Sequence, residues 1–388
     1  MHENARDLRA TARTDPKGHM RVAIVHDYLT QRGGAERVVL AMLQAFPDAR
    51  LITSMYEPAA TFPEFAEISV ETTSLQRVGG LRKDPRRALP FLSGSFRRTR
   101  VDDVDLVLCS SSGWAHAVQT SATKMVYCYN PPRWLYQREE YVDPQPLPVR
   151  AAVSVLRPSL RRRDAEAAAS ADKYFTTSTS VRRRIVSAYG IDAEILPPPV
   201  TLDSTGRQTP VPGVAPGYYL VVGRRRGYKN VQATCEAFAG LPDRRLVVVG
   251  GLPVREGGKE WPSNLVGVSQ IPDDQLRWLY DNCRALVATS HEDFGLTPLE
   301  ANSFGKPALV LQAGGFLDTL QEGVTGAFIR SVHPKAISQA VVEAEAMTFR
   351  AEVIASHAAN YSLDEFVTRL RDHAGALLGA PEPARLVG

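Results

Sequence analysis

The sequence predicts an α/β protein with two doubly wound, parallel-sheet domains. Short apolar runs alternate with helical patterns along most of the chain, which is typical of parallel sheets covered by helices on both faces. A proline-rich stretch divides this alternation into two successive cycles. The chain of 388 residues is also too long for one ordinary hydrophobic core.

The first cycle opens with an apolar run at 21–26, the pattern of a buried parallel strand. Gly33 and Gly34 follow it, and apolar residues then recur at helical spacing as far as Pro47. A strand, a glycine-rich turn and a helix in this order begin a Rossmann-like unit. Further strands are predicted at 50–53, 106–109, 124–128 and 173–176.

The second cycle begins at 218–222 and predicts strands at 245–249, 286–288 and 308–311, with a helix over 230–238. We therefore divide the chain into a disordered extension (1–19), a first Rossmann-like domain (20–200), a linker (201–217) and a second Rossmann-like domain (218–360). Ligands of such sheets bind outside the carboxyl ends of the strands, so we expect a cleft between the two domains.

Basic residues are concentrated in the first half of the chain. Residues 1–200 hold 28 Lys and Arg against 22 Asp and Glu, and the excess is concentrated at 82–100, 157–163 and 182–184. This excess favours an anionic partner, such as a phospholipid surface or a phosphorylated acceptor, or else is a solvated helix face. Nothing in the sequence resembles a nucleic-acid-binding module.

The remaining bulk features predict a cytoplasmic protein. If the basic excess meets a phospholipid surface, the contact would be peripheral, at the inner face of the plasma membrane. No apolar run reaches the roughly 20 residues that span a bilayer, and residues 1–19 lack the apolar core of a secretory signal. The four cysteines lie far apart in sequence, so we expect buried free thiols rather than disulfides or a zinc site: Cys109, Cys128, Cys235 and Cys283.

Helix-start signals follow the predicted strand 286–288. Thr297-Pro298-Leu299-Glu300 has the pattern of a capping box with proline in the first helical position, so we expect a helix over 297–304. Amides at a helix N-terminus lie at the positive end of the dipole and bind phosphate groups. The turn is therefore a candidate pyrophosphate site, with Glu292 in the preceding loop. The alternative gives Glu300 a capping role only.

Positive charge collects after the first strand of the second cycle. Residues 223–230 read Gly-Arg-Arg-Arg-Gly-Tyr-Lys-Asn. A diphosphate would be stabilised there, because hydrogen bonds to charged groups contribute about 1.5–3 kcal/mol each. The loop follows a strand that should end at the ligand edge of its sheet, which favours this function over an exposed basic loop.

Together these motifs resemble those of the retaining glycosyltransferase family 4, whose GT-B fold has two Rossmann-like domains facing a cleft. The similarity covers about residues 20–378 and includes N-terminal motifs typical of bacterial O-antigen and lipid-linked-glycan mannosyltransferases. The motifs are Gly223-Arg224, Lys229-Asn230, Glu292 through Glu300, His26-Asp27-Tyr28-Leu29 and Gly33-Gly34-Ala35-Glu36.

The resemblance implies a metal-independent hexosyltransferase that retains the anomeric configuration and needs no cofactor beyond its nucleotide-sugar donor. It favours GDP-mannose as donor and a hydroxyl of a glycan or glycolipid as acceptor. It also implies that a helix over about 361–378 packs on the first domain. The implied catalytic residues are Glu292, Arg224 and Lys229, and the implied substrate-binding residues are Gly33, Gly34, Tyr129, Gly223, Phe294, Gly295, Leu296, Thr297 and Glu300.

In this interpretation Arg224 and Lys229 neutralise the departing nucleoside diphosphate, Glu300 binds the ribose hydroxyls, and Glu292 holds the donor sugar. Many relatives carry histidine where Tyr129 stands. If that histidine contacts the donor sugar in the relatives, either Tyr129 or His116 would make this contact here, although a lone histidine is more often structural.

Three other functions remain open from the sequence. A UDP-sugar-dependent glucosyl- or N-acetylglucosaminyltransferase would share the fold. A nucleotide-sugar epimerase or hydrolase would process the donor without an acceptor, and a nucleotide-sugar-binding regulator would bind it without forming product. Asp103-Val-Asp105 matches a metal-binding DxD pattern, but we interpret it as a strand entry because it leads directly into the predicted strand 106–109.

Overall fold

The computed structural model describes residues 20–83, 88–137, 147–223 and 229–379. The predicted extension 1–19 lies outside them. These residues divide into two compact units. The first unit runs to Thr177 and also takes in Val181–Leu196 and the chain from Phe366 onward. The second consists of Ser178–Ser180 and Pro197–Glu365.

Every strand of the first sheet pairs in parallel with its neighbours, in the order β3-β2-β1-β4-β5-β6-β7. All five apolar runs predicted in the first cycle form strands, because each is almost wholly buried and gains from leaving water. The strands are β1 (Val22–His26), β2 (Arg50–Thr53), β3 (Val70–Thr72), β4 (Leu106–Ser111), β5 (Thr123–Cys128), β6 (Lys173–Thr176) and β7 (Glu194–Ile195).

The second sheet is also parallel throughout, in the order β10-β9-β8-β11-β12-β13. It contains the four predicted strands and two more at its edges. The strands are β8 (Tyr218–Val222), β9 (Leu246–Val249), β10 (Leu265–Val268), β11 (Cys283–Ala288), β12 (Ala308–Leu311) and β13 (Gly326–Ile329).

Helices connect most successive strands, as parallel pairing requires. They are α1 (Gly34–Ala45), α2 (Gly79–Lys83), α3 (Leu89–Arg98), α4 (Arg133–Tyr136), α5 (Leu147–Ala169), α6 (Thr179–Tyr189), α7 (Val231–Ala239), α8 (Asp273–Asn282), α9 (Leu296–Ser303), α10 (Phe316–Thr319), α11 (Pro334–Glu345), α12 (Ala351–Ala359) and α13 (Leu363–Leu378).

The second sheet is covered on both faces. Alternate residues of β8 enter different cores: Tyr219 and Val221 pack with one buried cluster, and Tyr218 and Leu220 pack with another. This alternation is the physical signature of a strand buried on both sides. The second unit is therefore doubly wound, as the sequence predicted.

The last helix, α13, packs on the first unit from Phe366 onward. The ring of Phe366 stands edge-on to that of Tyr127, with 6.0 Å between their centroids. Arg371 Nε donates to the carbonyl oxygen of Ala45 at 2.7 Å, and Arg369 donates to that of Ile195 at 3.3 Å. Side chains of the C-terminal helix thus close part of the first unit's surface.

The proline-rich stretch 201–217 contains no helix or strand. Its apolar side chains Leu202, Val211 and Val214 are nevertheless buried in the core of the second unit. The stretch predicted to be a linker is accordingly part of that unit, because burying these side chains gains more than leaving them in water.

The four cysteines are buried and free, as predicted. Within the described part of the chain, none of the helices is both long and apolar enough to cross a bilayer. Asp105, of the Asp103-Val-Asp105 pattern, accepts hydrogen bonds from the backbone and side chain of Arg21, which precedes β1.

Candidate functional site

The second sheet has a topological switch point between β8 and β11. From β8 the chain continues outward to β9 and β10, whereas β11, β12 and β13 extend in the opposite direction. Loops on either side of such a point diverge and leave a crevice at the carboxyl ends of the two strands, where open α/β sheets bind ligands. The loops after β8 and β11 carry most of the predicted donor-site residues.

Two charged side chains meet across this point. Lys229, after β8, places its Nζ 2.5 Å from Oε1 of Glu292, which follows β11. The two side chains are 21% and 20% exposed, so the pair is sheltered yet reachable from solvent. An ammonium has three donors and a carboxylate about four acceptor positions, so both can contact a ligand while they remain paired.

Asn230 fixes the lysine turn against β11. It precedes α7 in the left-handed conformation, with φ of 50°, which asparagine tolerates better than most residues. Its side-chain amide donates to the carbonyl oxygen of Thr289 at 2.8 Å, and the hydroxyls of Thr289 and Thr234 lie 2.9 Å apart. These contacts hold the backbone on both sides of the Lys229–Glu292 pair.

The Gly314-Gly315 turn after β12 fixes the loop that carries Glu292. The amide of Gly315 donates to the carbonyl oxygen of Glu292 at 2.9 Å. A Cβ on Gly315 would stand 2.3 Å from Cα of Phe294, and one on Gly314 would stand 2.3 Å from the carbonyl oxygen of Glu292. Only glycine allows so close an approach of two backbones.

Helix α9 begins at Leu296, one residue earlier than predicted, and the capping-box interpretation is wrong. The N-cap is Gly295, with φ of 90° and no side-chain capping bond. Thr297 is inside the helix, and the carboxylate of Glu300 accepts from the hydroxyl of Tyr280 at 2.6 Å. A left-handed glycine can begin a helix where a threonine pattern also fits, and sequence spacing does not distinguish the two.

This start leaves first-turn amides at the loop that holds Glu292. The N-terminal amides of α9 lie at the positive end of its dipole, and the N-cap residue, Gly295, has no side chain to cap them. Leu296 and Thr297 are the first two residues of the helix, and Phe294 and Gly295 precede it. The amides and Lys229 thus belong to loops of neighbouring strands, which suits an anionic ligand.

Two further residues of the predicted donor site are Gly223 and Arg224. Gly223 directly follows β8, and its amide donates to the carbonyl oxygen of Val249 at 3.2 Å. A Cβ at Gly223 would make ordinary contact with Lys229, so the structure itself does not demand glycine there. Arg224 lies outside the described residues.

The first unit has its own switch point, between β1 and β4, and Gly33 and Gly34 lie near it at the start of α1. A Cβ on Gly33 would stand 2.5 Å from Oε2 of the buried Glu36, whereas Gly34 faces open space. The glycines thus bring bare backbone to the ligand edge of the first sheet.

Tyr129 ends a chain of hydrogen bonds at this edge. Its hydroxyl lies 2.9 Å from Oγ of Ser110 and donates to the carbonyl oxygen of Ala35 at 3.2 Å. Ser110 Oγ also lies 2.9 Å from Nδ1 of His26. Burial raises the pKa of the Tyr129 phenol well above its usual range, so the hydroxyl keeps its proton and remains a donor.

His116 is in a separate, buried cluster. Its Nδ1 lies 3.0 Å from Oγ of Ser111, and its Nε2 lies 3.1 Å from Oδ1 of Asp164. The side chain is almost inaccessible to solvent. Of the two candidates for the histidine of the related enzymes, Tyr129 is the more exposed and His116 has structural partners.

Many cations of the predicted basic surface are paired with acids. Arg97 and Arg162 approach Glu166, Arg82 approaches Glu57, and Arg182 pairs with Asp192. Such surface pairs reduce the net positive potential. Arg98 and Arg163 are exposed, and the cluster members at 84–87 lie outside the described residues.

Comparison with known proteins identifies the second unit. Residues 212–361 match the family model described as Glycosyl transferases group 1, and the match contains the whole site from Gly223 to Gly315. Residues 212–361 are thus similar to a group 1 glycosyl transferase domain, and this part of the chain is called the glycosyl transferase domain. The fold of the chain, with two parallel Rossmann-like sheets, is that of GT-B enzymes.

The relatives match parts of the chain. Alpha-1,3/1,6-mannosyltransferase ALG2 of Dictyostelium discoideum is 37% identical over 76 residues, which is 19% of this chain and 18% of that protein. D-inositol 3-phosphate glycosyltransferase of Mycolicibacterium gilvum is 31% identical over 169 residues, 39% of this chain and 38% of that protein. The matches therefore span well under two thirds of either relative.

One solved structure extends the likeness in fold to both units. Anabaena HepE, crystallised with UDP and glucose, superposes with a TM-score of 0.63 at 14% identity, over 92% of this chain and 100% of HepE. The glycosyl transferase domain is thus accompanied by a first unit that also has a counterpart in a structure of this fold.

The sequence predicts neither a role for Tyr280 nor the contact of the Asn230 side chain, although both support this domain's site. Tyr280 holds Glu300, and Asn230 ties the Lys229 turn to β11. The sequence does carry a signal for Tyr280, which is a tyrosine at an otherwise apolar position of a helix. A phenol buried there needs a hydrogen-bond partner. The Asn230 side-chain bond had no sequence signal.

Proposed function

We propose that the chain is a retaining, metal-independent glycosyltransferase that moves mannose from GDP-mannose to a hydroxyl of a lipid-linked or polysaccharide acceptor. The observation that carries the proposal is the Lys229–Glu292 pair at the switch point of the glycosyl transferase domain. The ammonium of Lys229 is a sheltered positive charge in the loop after β8, next to the loop that leads into α9. A diphosphate leaving group would need positive charge there.

In the proposed reaction the bond between the anomeric carbon and the diphosphate oxygen breaks, and the acceptor oxygen bonds to the same face of the sugar. The proton of the acceptor hydroxyl passes to the departing diphosphate. Negative charge grows on the diphosphate as this bond breaks. Lys229, Arg224 and the amides of Phe294, Gly295 and Leu296 would stabilise that charge. Glu292 would accept hydrogen bonds from the sugar while it keeps Lys229 oriented.

One of the relatives supports the choice of sugar. ALG2 is by name a mannosyltransferase, and the Mycolicibacterium gilvum enzyme is by name a glycosyltransferase of an inositol phosphate. The N-terminal His26-Asp27-Tyr28-Leu29 motif also favours mannosyl transfer. A thermal-shift panel of GDP- and UDP-sugars would test the donor, because a ligand that binds only the folded state raises its stability, by about 2.7 kcal/mol at a hundred times its Kd.

The reaction is tested by removing the charge of Lys229. We expect Lys229→Met to lower turnover by about two to three orders of magnitude, the scale for losing one preorganised charge-stabilising group. Initial rates with GDP-mannose and a lipid-linked acceptor measure the loss, and circular dichroism checks the fold. Glu292→Ala should cause a loss of the same order.

Lys306→Met is the matched control. Lys306 precedes β12, at the amino ends of the strands, whereas the site lies at their carboxyl ends. Its rate should stay within about twofold of the wild type, since surface changes away from special features have small effects. Near-normal turnover in Lys229→Met would reject the site. Turnover of donor with no acceptor present would instead favour an epimerase or hydrolase, and tight donor binding without product would favour a regulator.

The acceptor proposal includes a peripheral membrane contact through the first unit. Exposed arginines at the end of α3 and in α5, Arg98 and Arg163 among them, are available to anionic lipid headgroups. A lipid-linked acceptor would place the substrate at such a surface.

A further inference from the structure

Tyr280 and Glu300 lie on successive helices of the glycosyl transferase domain. Tyr280 is in the last turn of α8, and Glu300 is the fifth residue of α9. The Tyr280 hydroxyl donates to Oε2 of Glu300 at 2.6 Å. Tyr280 is completely buried, and its ring stacks on that of Phe304, with 5.7 Å between centroids and 15° between planes. The phenol is thus a donor in a fixed position.

Glu300 differs from Tyr280 in being only half-buried. A carboxylate offers two oxygens and about four acceptor positions, so a bond to Tyr280 is compatible with bonds to other donors. That bond also restricts the rotamer of a long side chain that would otherwise lose conformational freedom on binding a ligand. Glu300 is therefore ordered in advance for further hydrogen bonds.

We infer that Tyr280 is a positioning residue for the nucleotide ribose. Its hydroxyl holds the Glu300 carboxylate in the orientation that accepts hydrogen bonds from the two ribose hydroxyls. The inference rests on the proposed function, in which Glu300 binds the donor's ribose. Because Tyr280 is fully buried, it acts through Glu300 and does not touch the nucleotide. Tyr280 therefore affects the preference for ribose over deoxyribose and not the bond-breaking step.

A purely structural phenol is present nearby for comparison. Tyr218 is also fully buried in the same core, and its hydroxyl donates to the carbonyl oxygen of Leu279 at 2.8 Å. Tyr218→Phe therefore removes a buried hydroxyl and its hydrogen bond without removing a contact to Glu300. A loss of ribose preference in Tyr280→Phe but not in Tyr218→Phe would then result from the lost hydrogen bond to the Glu300 carboxylate.

The experiment is calorimetric binding of GDP and 2′,3′-dideoxy-GDP, with the UDP pair in parallel, to the full chain. We expect the wild type to prefer the ribonucleotide by about 10- to 100-fold, the range for hydrogen bonds to a charged group. Tyr280→Phe should reduce this preference at least fivefold, whereas Tyr218→Phe should retain it. Glu300→Ala should abolish it, and adding Tyr280→Phe to Glu300→Ala should change the preference no further.

The results separate this inference from the proposed function. If the wild type binds neither nucleotide pair, the proposed function fails and the inference fails with it. If it binds ribo and dideoxy forms equally, the inference alone is overturned. It is also overturned if Tyr280→Phe keeps the wild-type preference, or if Tyr218→Phe loses as much.

Discussion

Carboxylates at the two switch points have different partners. Asp27, after β1, accepts from the amides of Ser112, Trp114 and Ala115 at 2.7, 2.7 and 2.9 Å. Its acceptor capacity is largely used by the loop that follows β4, and the side chain is buried. Glu292 pairs with a lysine and remains partly exposed. The first carboxylate therefore holds a loop, and the second can meet a ligand.

His116 is expected to stabilise the first unit. In His116→Ala, Asp164 would lose a partner in a site where Tyr189 still donates to it at 2.8 Å. An under-satisfied buried group costs about 1–3 kcal/mol, so the free energy of unfolding should fall by that amount. Urea unfolding measures the change. Unchanged stability combined with a large loss of turnover would instead mean that His116 serves the substrate.

Among the elements, the glycine turn after β12 is the most sterically constrained part of the site. Gly315→Ala would place a methyl group 2.3 Å from Cα of Phe294 and 2.5 Å from the carbonyl oxygen of Asp293. The loop that carries Glu292 must then shift. Because misplacing a catalytic group by about 1 Å can cost about a hundredfold in rate, we expect a loss of that order in steady-state kinetics.

Gly375→Ala is the control for this substitution. Gly375 is inside α13 and has open space where a Cβ would stand. Alanine should stabilise this helix by about 0.5–1 kcal/mol and leave turnover unchanged. A Gly315→Ala variant as active as Gly375→Ala would show that the turn does not position Glu292.

The packing of α13 gives the first unit a pH dependence through His373. Burial lowers the pKa of His373 below its usual 6.5, although the nearby carboxylate of Glu194, 3.2 Å away, opposes the change. As the pH falls through 6.5, the unfolded chain therefore takes up the proton before the folded chain does. The contribution of His373 to the free energy of unfolding is full above pH 6.5. It is lost as the pH falls toward the pKa of His373 in the folded protein.

We accordingly expect His373→Gln to flatten the pH dependence of unfolding. Urea unfolding of both proteins between about pH 5 and 8 covers the range in which histidine titrates. The wild type should lose more stability than the variant below pH 6.5. Parallel curves for the two proteins would contradict the assignment to His373.

At the scale of the whole molecule, the net charge of +4 arises from the first half of the chain. We expect the protein to sediment with vesicles that contain phosphatidylglycerol and to be released by salt, because screening shortens the Debye length to about 8 Å at 0.15 M. Arg98→Gln and Arg163→Gln should each weaken binding at low salt by about fivefold.

Arg330→Gln is the matched control for the vesicle experiment, since Arg330 is exposed but belongs to the second unit. It should bind vesicles like the wild type. Salt-independent binding, or equal losses in all three variants, would remove the proposed membrane contact.

Buried parallel strands are the elements that the sequence predicts best. The runs at 50–53, 173–176, 218–222 and 308–311 form strands with the predicted limits, because continuous apolar residues fit a strand covered on both faces. The four strands that it missed lie toward sheet edges: β3, β7, β10 and β13. β3 is largely exposed and β7 has only two residues, so neither has a long apolar run.

By itself the sequence determined the two-sheet α/β plan and the residue types of the candidate donor site, because hydrophobic periodicity and glycine-rich turns are local properties. Only the tertiary structure decided that Lys229 meets Glu292, that Tyr280 holds Glu300 and that Gly295 begins α9. Those pairings join residues from different loops and helices. They depend on strand order and register, which no local pattern contains.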